Sequence, residues 1–150
     1  MVTIRFAETH DLSGILALYH RSGFSDPASG DELHLIWRDI LGRSGVFVIV
    51  AELDGEIVSS CTLITAPNLL RGGQAHGFLE NIATLPPHRR CGYGRRVIEF
   101  ALSTAWEAGC FHVMMQSGKT DPGVHAFYRT LGFQPGLRTA YVHPHPSNRP

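Results

Sequence analysis

The chain has 150 residues, 43% of them hydrophobic and 17% charged, enough for one compact domain spanning 1–150 and too few for two of ordinary size. Thirteen Lys and Arg balance thirteen Asp and Glu, so no global field holds a polyanion, which excludes nucleic-acid coating or an anionic membrane surface as the main role. No apolar run approaches the roughly 20 residues of a membrane span and no charged-then-apolar leader opens the sequence, so a cytoplasmic protein is expected.

In chain order, Val2 to Phe6 is a short β-prone run. Thr9, with Asp11 in the first turn, then opens a helical pattern through Leu12, Ile15, Leu16, Leu18 and Tyr19. A second amphipathic helix, with Leu33, Ile36, Trp37 and Ile40 on one face, is expected from about Ser29 to Leu41, stopping at Gly42. The period then changes to two. Val46 to Glu52 and Glu56 to Ala66 are strands joined by Asp54-Gly55, residues that tolerate the positive φ of a tight hairpin turn. Ala75 to Thr84 is the next strand, ended by Pro86-Pro87, which cannot donate to a ladder. Val97, Ile98, Ala101, Leu102, Ala105 and Trp106 form the apolar stripe of a long helix closed by Gly109. His112 to Gln116 returns to strand. Asp121-Pro122 starts a short helix, Asp as N-cap and Pro at N1, which Gly132 closes, and Leu137 to His143 is the last strand. The order predicts an α/β protein with a sheet of mixed direction and helices on both faces. Residues 144–150 read as a flexible tail. Three cysteines, Cys61, Cys91 and Cys110, lack CxxC spacing and read as free thiols. The nine histidines include no helical HxxxH pair, and no metal is predicted.

The most informative segment is Arg89-Arg90-Cys91-Gly92-Tyr93-Gly94-Arg95-Arg96, between a strand and the first turn of the long helix. It gathers four of the thirteen basic side chains. Two glycines let the backbone approach a ligand, and the free amides and dipole of the helix start favour negative charge, as a diphosphate requires. A dinucleotide fingerprint would need Gly at position 97, which is Val97, and no acid ends the following strand at Gln116, so NAD is disfavoured. Gly118-Lys119-Thr120 echoes a P-loop, but position 113 is Val and Asp121-Pro122 follows at once, so ATP hydrolysis is disfavoured too.

Three stretches together resemble the GCN5-related N-acetyltransferase (GNAT) family over nearly the whole chain. Arg89-x-x-Gly92-x-Gly94 is similar to the family's acetyl-CoA motif, preceded by Glu80-Asn81-Ile82-Ala83-Thr84 and Pro86. Thr3 to Ala7 with Asp11, Leu12 and Ile15 is similar to its first strand and helix. Ala126-Phe127-Tyr128-Arg129-Thr130-Leu131-Gly132-Phe133 is similar to its late helix, turn and strand. The resemblance implies a GNAT fold, with a mixed, mostly antiparallel sheet of about six or seven strands, splayed at the strand before the cofactor loop. It implies acetyl-CoA as co-substrate. Backbone groups of Ile82, Ala83 and Thr84 would pair with the pantetheine arm, amides from Arg90 through Cys91, Gly92, Tyr93, Gly94 and Arg95 would hold the diphosphate, and Arg89 would support the loop. A backbone amide at a strand bulge near Asn81 or Ile82 would be the oxyanion donor.

An ammonium acceptor must lose a proton before it attacks, which calls for a base near the splay. Glu80 is the candidate, with strand alternation expected to place it on one face with Ile82 and Thr84. It could equally be an exposed strand residue, or bind the ammonium without taking its proton, and His76 is the runner-up. Tyr128 matches the family's general acid, and a phenol of pKa near ~10 is protonated at neutral pH. Phe127 and Phe133 are assigned to core, and His125 to the surface or the ligand's edge. The Ser117 to Asp121 loop lacks the Asn that many relatives carry. Cys91 is taken as incidental.

Substrate specificity is expected from Arg21 to Arg43 and from Leu137 to His143. Ser25-Asp26 and Asp31-Glu32 would suit a cationic amine, whereas Arg21, Arg38 and Arg138 could receive a carboxylate or phosphate. Gly109 to Val113 with Glu80-Asn81 is somewhat similar to glucosamine-phosphate acetyltransferases. The expected function is acetyl transfer to a primary amine, that of a small molecule, by direct attack, with a homodimer as the expected assembly. The alternatives are a non-catalytic acyl-CoA sensor and a domain whose Arg-rich loop holds another nucleotide.

Overall fold

The computed structural model describes residues 1–24 and 27–148. The chain divides into two compact units, Met1–Met115 and Gln116–Pro150. The first holds β1 (Val2–Phe6), α1 (Leu12–Arg21), α2 (Leu33–Gly42), β2 (Val46–Leu53), β3 (Glu56–Ala66), β4 (Ala75–Thr84), α3 (Tyr93–Glu107) and β5 (Cys110–Met115). The five strands make one sheet in the order β1-β2-β3-β4-β5. The first four run antiparallel to their neighbours, and β5 lies parallel to β4 after the α3 crossover.

The β2–β3 hairpin turns on Asp54 and Gly55, at φ 50° and 87°, the two positive values that a tight two-residue turn needs to match the strand twist. β3 is covered on both faces, with Ile57 to Leu63 all buried. On one face Cys61 Sγ donates to Val97 O of α3 at 3.4 Å. On the other, the Tyr19 phenol of α1 lies against the Ser60 and Thr62 hydroxyls. Adjacent strand residues point to opposite sides, so α1 and α3 sandwich the sheet. Val97, Ile98, Ala101 and Ala105 of α3 are fully buried.

Trp106 departs from the expected stripe and is 52% exposed, because nine residues at 100° each carry it half a turn away from Val97. The first helix is preceded by a 3-10 turn over Thr9–Asp11, with Asp11 accepting from the Glu8 amide at 2.7 Å. α2 begins at Leu33 rather than near Ser29, and its anchor is buried Trp37, whose indole donates to the carbonyls of Glu8 and Thr9 at 3.3 and 3.1 Å.

The second unit contains α4 (Pro122–Thr130). Asp121 caps it as expected, its carboxylate accepting from the Gly123 amide at 2.7 Å. Leu137 to His143 is not a strand: Leu137, Tyr141 and Val142 are 74%, 89% and 78% exposed. A β-prone run becomes a strand only when a ladder partner takes its amides, and among the described residues none does. The described sheet therefore has five strands instead of six or seven.

Candidate active site

β4 sets the geometry. From His76 to Leu79 it has neighbours on both edges, but the β5 register ends at the Leu79–Met115 pair, and from Glu80 to Thr84 its ladder partners are on β3 alone. The strands thus part at Glu80, leaving one edge of the second half of β4 open among the described residues. At the same point the β3 ladder jumps: Glu80 opposes Thr62 and Ala83 opposes Ser60, so Asn81 and Ile82 share the single position of Cys61. Asn81 sits at φ 51°. Asn is one of the few side chains that enters the left-handed region at low cost, and a bulge of this kind leaves ladder groups unpaired and re-aims the backbone.

The extra residue corrects the expected alternation. Glu80 and Ala83 stand beside Thr62 and Ser60 on the α1 face, whereas Thr84 is on the α3 face, where its hydroxyl meets Ser59 Oγ at 2.8 Å. Glu80, Ile82 and Thr84 therefore do not form one row. Glu80 is exposed and, among the described residues, makes no hydrogen bond or ion pair, which leaves both its oxygens available to an ammonium. His76, the runner-up base, is on the Glu80 face four residues earlier, where its Nδ1 lies 3.3 Å from His112 Nε2.

After β4 the chain enters a 3-10 turn over Pro86–His88, and the Arg89 Nε–H donates back to the Thr84 carbonyl at 3.4 Å. That long bond ties the loop to the strand end. Arg90 and Gly92 then take φ 63° and 84°, on either side of exposed Cys91. Gly92 is the N-cap of α3 and has no side chain to cap it; the first intrahelical bond runs from Arg96 N to Gly92 O at 3.1 Å. The amides of Tyr93, Gly94 and Arg95 precede that ladder, and a side chain at Gly92 would be strained whatever the space around it. An uncapped helix start behind a tight loop is a fit for an anion carried by a cofactor. Burial pushes the Cys61 thiol up to about 12, so it is inert, while Cys91 stands at the surface.

Within the second unit, Tyr128 is half-buried between Phe127 and Phe133, at ring distances of 5.3 and 6.2 Å. Burial raises its phenol pKa above the ordinary value, which keeps the proton on at neutral pH. His125 Nε2 lies 2.7 Å from the Lys119 carbonyl, fastening the loop before α4.

Of the residues expected at the acceptor mouth, Ser25 and Asp26 lie outside the described residues. Asp31, Glu32 and Arg38 are exposed, and so is Arg138 in the second unit. Arg21 is engaged by Glu56 at 2.6 Å and lines a groove of about 430 Å3 between α1 and the β2–β3 hairpin, to which none of the expected catalytic or cofactor-binding residues contributes. Three neighbours of the site were not singled out beforehand: Tyr19 on α1, Arg71 before β4 and His112 on β5. Their signals were weak, an amphipathic helix position, an Arg-Gly-Gly turn and a strand histidine.

With this geometry in place, comparison with known proteins is decisive. A model of the acetyltransferase (GNAT) family matches residues 10–133. The chain belongs to the GNAT family. As a GNAT protein it is an acyltransferase that moves an acetyl group to an amine. It is 34% identical over 134 residues to the glucosamine 6-phosphate N-acetyltransferase of Trypanosoma brucei brucei, covering 87% of this chain and 88% of that protein. A putative acetyltransferase from Agrobacterium tumefaciens superposes with TM-score 0.87 at 36% identity, covering 95% of this chain and 99% of that one. An aminoglycoside N(6')-acetyltransferase type 1 from Acinetobacter haemolyticus aligns over 65 residues at 35% identity, 43% of this chain and 45% of that protein.

Proposed function

We propose that this GNAT enzyme, read as a single N-acetyltransferase domain over residues 1–150, transfers acetyl from acetyl-CoA to the primary amine of a small molecule by direct attack. The observation that carries the reading is the coincidence, at Glu80 to Ile82, of the parting strands and the bulge. There an unpaired backbone amide can stabilise the charge that develops on a thioester oxygen. The open edge of Ile82, Ala83 and Thr84 would take the amides of the pantetheine arm. The amides of Arg90 to Arg95 would take the diphosphate, with the loop arginines adding charge-assisted bonds. The co-substrate supplies the activated acyl group.

The chain's own residues do the rest. Glu80, exposed and unpaired among the described residues, accepts the acceptor's ammonium and takes its proton, directly or through a water. Tyr128, the family's acid position, returns a proton to the departing thiolate.

The relatives point to amino sugars and their phosphates as the first acceptors to try. Acetyl-CoA is titrated by calorimetry, and thiol release is then followed with glucosamine 6-phosphate, aminoglycosides, polyamines and amino acids. The expected result is micromolar donor binding and amine-dependent thiol release that falls in Tyr128→Phe and Glu80→Gln. No donor binding overturns the proposal, and binding without turnover on any amine replaces it with a sensor.

A further inference from the structure

The α1 face of β4 carries a row beyond Glu80. Phe78 and His76 follow at two-residue intervals, opposite Ile64 and Ala66 of β3, with no bulge between them. At the His76 end β5 is irregular: Ala75 pairs with Cys110 and His76 with His112, so Phe111 is the additional residue. Both side chains gather on His76, with the Phe111 ring 5.0 Å away edge-on and His112 Nε2 3.3 Å from His76 Nδ1. Arg71, from the turn before β4, places its guanidinium 5.4 Å from the Phe111 ring centre. Arg71 is exposed, His76 and His112 are half-buried, and neither Arg71 nor His76 has a carboxylate partner among the described residues. Three nitrogen-rich side chains with an aromatic support thus stand together on the face that presents Glu80.

We propose that Arg71, His76 and His112 form an anion subsite for the phosphate of a phosphorylated amino-sugar acceptor whose amine is presented to Glu80. The inference rests on the acetyltransferase reading above and narrows its acceptor. His76 and Glu80 are four positions apart on the strand, about 13 Å between Cα positions, a span on the scale of a monosaccharide phosphate together with the side chains that would hold its two ends. Half-buried Phe78 offers apolar surface to the sugar between the two ends. Arg binds phosphate through two parallel N–H bonds, and an imidazole N–H adds another donor. A polycationic acceptor would meet like charge at Arg71, so the same residues select against aminoglycosides.

The test compares glucosamine 6-phosphate with glucosamine, both at saturating acetyl-CoA, in the wild type, Arg71→Gln and His76→Gln. The wild type should prefer the phosphorylated acceptor in kcat/KM. Each variant should lose about tenfold of that preference, the scale of one hydrogen bond to a charged group, through KM of the phosphorylated acceptor. A merely structural role would lower both acceptors together and leave the preference intact, and that result, or equal use of the two acceptors by the wild type, overturns the subsite. L-glutamate is the third arm, and a dependence on Arg71 seen with glutamate alone overturns the phosphate assignment. If no amine is turned over, the acetyltransferase reading fails. Calorimetric titration of glucosamine 6-phosphate and of glucosamine into the wild type and Arg71→Gln still decides the subsite: preferential binding that Arg71→Gln abolishes supports it, and its absence overturns it.

Discussion

Asp11 has only 4% of its side chain exposed, yet it is held charged by Arg5, whose guanidinium reaches its two oxygens at 2.6 and 2.9 Å and also meets Glu52 at 2.6 Å. The Arg5 hydrogen bond, more than the opposing effect of burial, holds the Asp11 carboxyl below the usual range. Its stabilisation is therefore complete above an unfolded carboxylate pKa near ~4 and is lost as pH falls through the lower folded value. Asp11→Asn leaves Arg5 with one acid and weakens the bond to the Glu8 amide. The expected cost is about 3 kcal/mol, the scale for breaking a buried pair, read by urea denaturation at pH 7, with a smaller difference from wild type near pH 3. Tyr128 titrates in the opposite sense. A general acid must carry its proton, and burial raises this phenol, so the rate should hold through neutral pH and decline only above about 10. Tyr128→Phe should remove that alkaline limb and lower kcat by about 100-fold, the lower end for general acid catalysis. A pH–rate profile of both proteins checks this.

Elements built on local rules were legible. The Asp54-Gly55 turn, the Asp121 cap and the β4 bounds all followed from residue types whose backbone preferences act over a few positions. Three features were not. Trp106 belongs by composition to a stripe and by angle to the solvent side. Leu137 to His143 has strand-forming residues, but its partner would have to come from elsewhere in sequence, and no local signal supplies one. The bulge inverts the expected face of Thr84, and the only hint in the sequence was an Asn inside a strand; the family resemblance, rather than the residue pattern, pointed there. The site was legible in the same proportion: the loop and Glu80 from motif, the Arg71–His76–His112 cluster only once β4 and β5 were paired. That pairing depends on Gly77, where an added Cβ would come within 2.9 Å of Val113 Cγ2 and 3.1 Å of the His112 carbonyl. Gly77→Ala should destabilise the fold by about 1–3 kcal/mol, the range for overpacking. It should also weaken use of a phosphorylated acceptor, because His112 moves with β5; thermal melts and KM measure the two effects.

At the scale of the whole molecule, stability is distributed unevenly along the sheet. Central β3 has seven successive buried residues and should hold the slowest-exchanging amides, whereas Glu80 to Thr84 of β4 should exchange faster than Ala75 to Leu79. Acetyl-CoA should slow exchange in Ile82 to Thr84 and in the first turn of α3. At 100 times its Kd it should add about 2.7 kcal/mol, which for a chain of this size raises the midpoint by about 5–10 °C. Hydrogen–deuterium exchange with a parallel melting series tests both.

An open strand edge is ordinarily an invitation to aggregate, since its unpaired amides and carbonyls template a strand from any neighbour. Here the open stretch is five residues long, kinked by the bulge at Asn81, begun by a charged Glu80 and followed, after Leu85, by Pro86 and Pro87. A polypeptide laid against it would lose register at the kink and hydrogen bonds at the prolines. A thin, amide-bearing molecule needs no register to keep. The interruption proposed to admit a co-substrate to the sheet is in this way also a filter against protein, and straightening β4 by deleting Asn81 would remove the proposed oxyanion amide and create an adhesive edge in a single step.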